Sequence, residues 1–194
     1  TWVAGSGTTL TTTMDATNTS NSNYFNTSYN TSPVYAQPIT PLYITRGMAT
    51  GSKVKVTGTA SQYLYSVNFY DDRGRVVQTQ SINMTGGKET GTTQYDFSGK
   101  ALRTYVQHTK SGTLPQNYTL LSKMDYDHAG RLLTIKKTFN GGTEKTVSAS
   151  SYNELGQLKT KTLGAAIETL NYDYNIRGWM LGMNRSYLTV QAQG

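Results

Sequence analysis

The sequence predicts an all-β protein: an antiparallel sheet of consecutive hairpins, strongly curved into a wall or spiral, with a closed barrel as second choice. Three observations carry that expectation. A seven-residue phrase occurs five times: Tyr, then Asp or Asn, two variable residues, Gly, one more residue, and an apolar residue. The text between phrases alternates apolar and polar side chains, the period of a half-buried strand. Charged residues make up only 15% of the 194, against about a quarter in ordinary globular chains. Thr, Ser, Asn, Gly and Tyr replace them, a mixture that favours turns and strands over long helices.

Taken in order, the chain divides into a lead, residues 1–52, and a repeat body, residues 53–194. The lead is dominated by Thr, Ser and Asn and contains no Lys or Arg before Arg46. Low-complexity polar text of this kind has little to bury. It is either irregular or laid across the sheet, and Tyr24, Phe25, Tyr29 and Tyr35 are the anchors the second arrangement would use. Asn18, Asn26 and Asn30 each begin an Asn-x-Ser/Thr triplet, which so Asn- and Thr-rich a stretch produces by chance. Pro33, Pro38 and Pro41 keep the chain extended and unpaired, because proline fixes φ and lacks an N–H.

One or two strands are expected within residues 53–58, from KVKVTG. In QYLYSVNFY, residues 62–70, Tyr63, Tyr65, Val67 and Phe69 share one face while Gln62, Ser66 and Asn68 share the other. Another strand follows from Arg75 to Ser81. The same plan recurs at each phrase, so five hairpins supply about ten strands, linked by the turn-rich segments MTGGKETG, KSGTLPQN, NGGTEK and LGAA.

The phrases are Tyr70-Asp71 with Gly74, Tyr95-Asp96 with Gly99, Tyr126-Asp127 with Gly130, Tyr152-Asn153 with Gly156, and Tyr174-Asn175 with Gly178. Two residues after each glycine stands Val76, Ala101, Leu132, Leu158 or Met180. Asp or Asn at the first place of a type I turn accepts a hydrogen bond from the backbone two residues on. Glycine three residues later takes the positive φ of a hairpin loop that ends in a bulge. The tyrosine closes the incoming strand, its ring packed and its hydroxyl near water. Each phrase is therefore one hairpin corner.

Several functions are disfavoured. The net charge of +7 comes from 18 Lys and Arg against 11 Asp and Glu, but these are scattered rather than gathered into the stripe of a nucleic-acid binder. No nucleic-acid partner is expected. With no cysteine there is neither a disulfide nor a cysteine-based zinc site. No apolar run approaches the 18 or so residues of a membrane-spanning helix. No signal peptide opens the chain, so it reads as a mature protein or an excised fragment. An outer-membrane barrel needs an apolar lipid face, which LKTKT and LLTIKKT do not supply.

The two histidines, His108 and His128, lack metal-pair or triad spacing. Asp71 with Asp72, and Asp125 with Asp127, read as turn residues rather than a catalytic carboxylate pair. No cofactor, metal or catalytic site is expected, and no spacing singles out a binding site. Tyr63, Tyr65, Tyr105, Tyr118 and Trp179 are the candidates should the sheet present a sugar-stacking face; strand propensity alone also explains so many tyrosines. Arg75, Lys100 and Arg131 should form a row beside the corners and pair with the turn acids.

The phrase resembles the YD repeat of the Rhs family. Tyr70-Asp71-Asp72-Arg73-Gly74-Arg75-Val76 and Tyr126-Asp127-His128-Ala129-Gly130-Arg131-Leu132 are close matches. The copy at Tyr95 has Lys100 for the Arg, the copy at Tyr152 has Asn153 and Gln157, and the copy at Tyr174 has Trp179 in the Arg place. The resemblance covers about residues 62–182. It implies a large bacterial protein, secreted or displayed at the cell surface, whose repeats form a β-sheet shell around a C-terminal toxic domain. On that reading this chain is a noncatalytic stretch of the wall. Its partners are the rest of a longer chain, namely further repeats past Gly194 and an effector domain of unrelated composition. The other reading the family suggests is a surface module for carbohydrate binding or adhesion. Sheet edges at both ends would favour self-association.

Overall fold

A computed structural model describes residues 10–31 and 34–185. The expected sheet is present. Eleven strands follow the chain: β1 Gly51–Lys55, β2 Tyr63–Tyr70, β3 Val76–Ile82, β4 Lys88–Tyr95, β5 Ala101–Lys110, β6 Gln116–Tyr126, β7 Leu132–Phe139, β8 Lys145–Tyr152, β9 Leu158–Leu163, β10 Glu168–Tyr174 and β11 Met180–Met183. Their hydrogen-bonded order is their chain order, in one antiparallel sheet that is open at β1 and β11. The barrel, second choice on sequence, is thus corrected: β1 and β11 do not pair. The strand expected within residues 53–58 begins earlier, at Gly51, and ends at Lys55. There the backbone of Val56 turns to bond Gln62 O at 2.9 Å. The strand expected from Arg75 begins one residue later, because Arg75 O closes the corner by accepting Asp71 N–H at 2.9 Å.

The chain forms two compact units, one of residues 1–122 with 139–142 and one of residues 123–138 with 143–194. In the first, the lead is laid across the sheet rather than left irregular and unattached. Leu10, Phe25 and Ile39 join Tyr65, Val67, Phe69, Val77, Tyr105 and Leu121 in a buried cluster. Among its described residues the lead forms no strand before Gly51, where β1 starts. Short turns fold it, such as Phe25 N–H to Asn21 O at 2.9 Å, and single bridges join Ala36 to Asp96 and Leu42 to Tyr70. Of the four expected anchors, Tyr24 and Phe25 serve; Tyr29 and Tyr35 are exposed. Pro33, expected to hold the lead extended, lies outside the described residues, as do the last nine residues of the repeat body.

Two strands end on asparagine in the left-handed region, Asn140 (φ 48°) after β7 and Asn184 (φ 52°) after β11. Asparagine tolerates that conformation better than most residues. Each uses its side chain as a substitute strand. Asn140 donates its N–H to Thr119 O at 2.8 Å and accepts Thr119 N–H on Oδ1 at 2.7 Å. Asn184 does the same to Asn171, at 2.8 and 2.7 Å.

Candidate functional site

The corners are built alike. In all five the glycine has positive φ, from 74° at Gly74 to 94° at Gly99. Its N–H bonds the carbonyl of the turn Asp or Asn at 2.9 to 3.2 Å, and that residue's N–H bonds the carbonyl following the glycine. The Asp or Asn side chain accepts the N–H four residues on: Arg75, Lys100, Arg131, Gln157 and Trp179, at 2.8 to 2.9 Å. The bond two residues on, expected throughout, is seen where Arg73 N–H donates to Asp71 and Arg177 N–H to Asn175, both at 2.9 Å, and where Ala129 N–H donates to Asp127. After the glycine one extra residue enters the outgoing strand. Tyr70 faces Val76 while Phe69 faces Gln78, so Val77 is a bulge; Leu102, Lys159 and Leu181 hold the same place.

The row of bases pairs with the turn acids as expected: Arg75 Nε to Asp71 at 2.6 Å, Lys100 Nζ to Asp96 at 3.7 Å, Arg131 Nε to Asp127 at 2.7 Å. Arg75 and Asp71 are largely withdrawn from water, so this pair is less screened than an ordinary surface pair. The Arg131 backbone N–H, with its guanidinium, holds the Asp127 carboxyl below the usual range. Where the acid is replaced by Asn153, its partner is also neutral: Asn153 Nδ2 donates to Gln157 Oε1 at 2.8 Å. In these four corners the pair stays matched, acid with base or amide with amide; at the fifth, Asn175 meets Trp179 through the backbone N–H.

Sequence reasoning missed how corners join. Tyr95 Oη donates to Val76 O at 3.0 Å, Tyr152 Oη to Leu132 O at 2.9 Å, and Tyr174 Oη to Leu158 O at 3.0 Å. Each hydroxyl therefore reaches the preceding corner, a correction to the expectation that it faces water. Tyr70 makes the corresponding bond to Ala49 O at 2.7 Å. In return Arg75 Nη1 donates to Asp96 O at 2.9 Å, and its guanidinium lies 4.8 Å from the Tyr95 ring centre. Arg131 lies 4.5 Å from that of Tyr152. The Tyr95 ring and the Asp96 carbonyl of one corner thus hold the base of the preceding one.

A second arrangement was also missed. Gln78, Gln80, Thr90, Thr92 and Gln94 are buried on β3 and β4, with the glutamines at most 1% exposed. Gln78 Oε1 accepts Asp15 N–H at 2.9 Å while its Nε2 donates to Asp15 O at 2.8 Å and to Thr92 Oγ1 at 2.9 Å. Gln94 treats Asn26 the same way, at 2.8 Å both ways, and also reaches Gln37 O at 3.1 Å. Each amide grips both polar groups of one backbone residue. Gln80 Nε2 donates to Gln78 Oε1 at 2.7 Å. The only sequence signal was polar Gln and Thr at alternating strand places where apolar residues belong.

Of the aromatic candidates, Tyr63, Tyr65 and Tyr105 belong to the core of the first unit or pack against it. Tyr65 and Tyr105 are buried, and Tyr24 stacks on Tyr105 with ring centres 4.1 Å apart. Burial, with Tyr24 beside it, pushes the Tyr105 hydroxyl up to about 12. Lys53 Nζ sits 4.1 Å above the Tyr63 ring. Tyr118 is stacked between His108 and Phe139, at 6.0 and 5.6 Å. Trp179 is exposed beside Arg177, 5.9 Å away. His108 Nδ1 meets Glu89 at 2.8 Å, and His128 is exposed on its corner. In the second unit a shallow apolar depression of about 430 Å³ lies over Leu132, Ile135, Val147, Tyr152, Leu158 and Leu163.

No protein-family model and no curated protein matches this chain.

Proposed function

We propose that the chain is a noncatalytic structural segment of the β-sheet shell of a secreted or surface-displayed bacterial Rhs/YD-repeat protein. Its partners are further repeats of the same longer chain and a C-terminal effector domain that the shell encloses or delivers. The observation that supports this reading is the reciprocal joining of corners. Tyr95 bonds back to Val76 O while Arg75 bonds forward to Asp96 O, so these two repeats each supply half of a contact that the other completes. Such a unit gains stability mainly by being followed by another of its kind.

Reading the coding sequence beyond Gly194 tests the proposal. More Tyr-Asp-x-x-Gly phrases, then a domain of unrelated composition, are expected. A stop codon there, together with saturable glycan binding by the purified chain that Tyr63→Ala or Tyr118→Ala abolishes, would replace the shell reading with the adhesin one.

A further inference from the structure

The floor beneath the lead has the wrong chemistry for a permanently covered core. Burying an amide is costly unless its hydrogen bonds are replaced, and β3 and β4 bury three glutamines and two threonines on the face that the described lead covers. An apolar floor would be simpler if the cover never left. Under the cover the lead's backbone satisfies Gln78 and Gln94 but Gln80 Oε1 is left without a partner; opened to water, all three amides are satisfied. The lead's side of the contact points the same way. From the lead, Gln78 and Gln94 take only backbone groups, the N–H and C=O of Asp15 and Asn26 and the C=O of Gln37, which every residue but proline offers in full. Leu10, Phe25 and Ile39 add apolar anchors. Backbone pairing supplemented by a few side-chain anchors is how sheet-edge peptide sites hold extended chains; here a sheet face does it through glutamine.

We propose that the face formed by Gln78, Gln94 and Tyr105 is a binding site for an extended polypeptide, read through its main chain, and that the described lead residues 10–31 and 34–42 occupy it as an exchangeable ligand in cis. The tether is the exposed turn around Arg46 and Gly47, closed by Met48 N–H to Thr45 O at 3.0 Å.

The test uses the full chain with a site-specific protease sequence inserted between Arg46 and Gly47. The probe is a fluorescent synthetic peptide of residues 10–42. The uncut chain should not bind it; the cut chain should, with unlabelled peptide competing and the strand signal in circular dichroism unchanged. Gln78→Leu or Gln94→Leu in the cut chain should weaken binding about tenfold, the effect of leaving buried backbone groups unpaired. In the peptide, N-methylation of the Asn26 amide should cost a similar factor, while Asn26→Ala should change affinity less than about threefold. Loss of the sheet on release, a cut chain that never exchanges its segment, or equal losses from N-methylation and from Asn26→Ala would each overturn the proposal.

Discussion

At the scale of the residue, four of the five corners obey a matching rule. Asp71, Asp96 and Asp127 face Arg or Lys; Asn153 faces Gln157. Gln157→Arg alone places guanidinium donors against the Asn153 amide, and should lower stability. Adding Asn153→Asp should recover it, with a coupling of about 0.5–1 kcal/mol in a double-mutant cycle followed by urea denaturation. The charged version also carries a pH signature. Because the folded Asp127 pKa is depressed, its contribution is fully present above its unfolded value, about pH 4, and is lost as pH falls through the folded one. Asp127→Asn should therefore lose stability less steeply than the parent as the pH is lowered below about 4. Equal slopes would mean that Arg131 does not tune this carboxyl. These local features were legible in the sequence, since the acid, the glycine and the base lie within five residues of one another.

At the scale of the element, what joins hairpins is a tyrosine hydroxyl on a backbone carbonyl. Tyr152→Phe removes the bond to Leu132 O and leaves that carbonyl without this donor, which should cost about 1 kcal/mol. Faster amide hydrogen exchange in β7 and β8 than in β10 and β11 would locate the effect; uniform acceleration would contradict it. The strands themselves were legible, because period-two alternation is written in side chains. The hydroxyl's target was not: a carbonyl has no letter in the sequence, and the same tyrosine with its hydroxyl in water would spell the same phrase.

At the scale of the whole molecule, the fate of the lead was the least legible feature. Its composition suggests little to bury, and Leu10, Phe25 and Ile39 stand far apart among Thr, Ser and Asn. What docks it is mostly main chain against Gln78 and Gln94, and recognition of that kind leaves no trace in the recognised residues. The cover does leave one in the titration of Tyr105, raised to about 12. A raised pKa contributes stability below the unfolded value, near 10, that is lost as pH rises toward the folded one. Carbon-13 NMR of the tyrosine ring should show Tyr105 protonated until about pH 12, and Tyr24→Ala should bring its titration toward the ordinary range. An unchanged titration would mean the lead does not shield it.

The bulge that follows the glycine at four of the corners reaches beyond geometry. Because every corner sets the pairing of its own two strands, it works like punctuation that restores the reading frame, and a slip in one hairpin need not reach the next. That suits phrases spaced as unevenly as these, and it makes the links between hairpins the places where insertions, deletions and recombination between copies can accumulate harmlessly. Two residues added within Ser111–Leu114, for instance, should leave the amide resonances of the Gly99 and Gly130 corners where they are, whereas one residue added between Asp127 and Gly130 should displace those of its own hairpin.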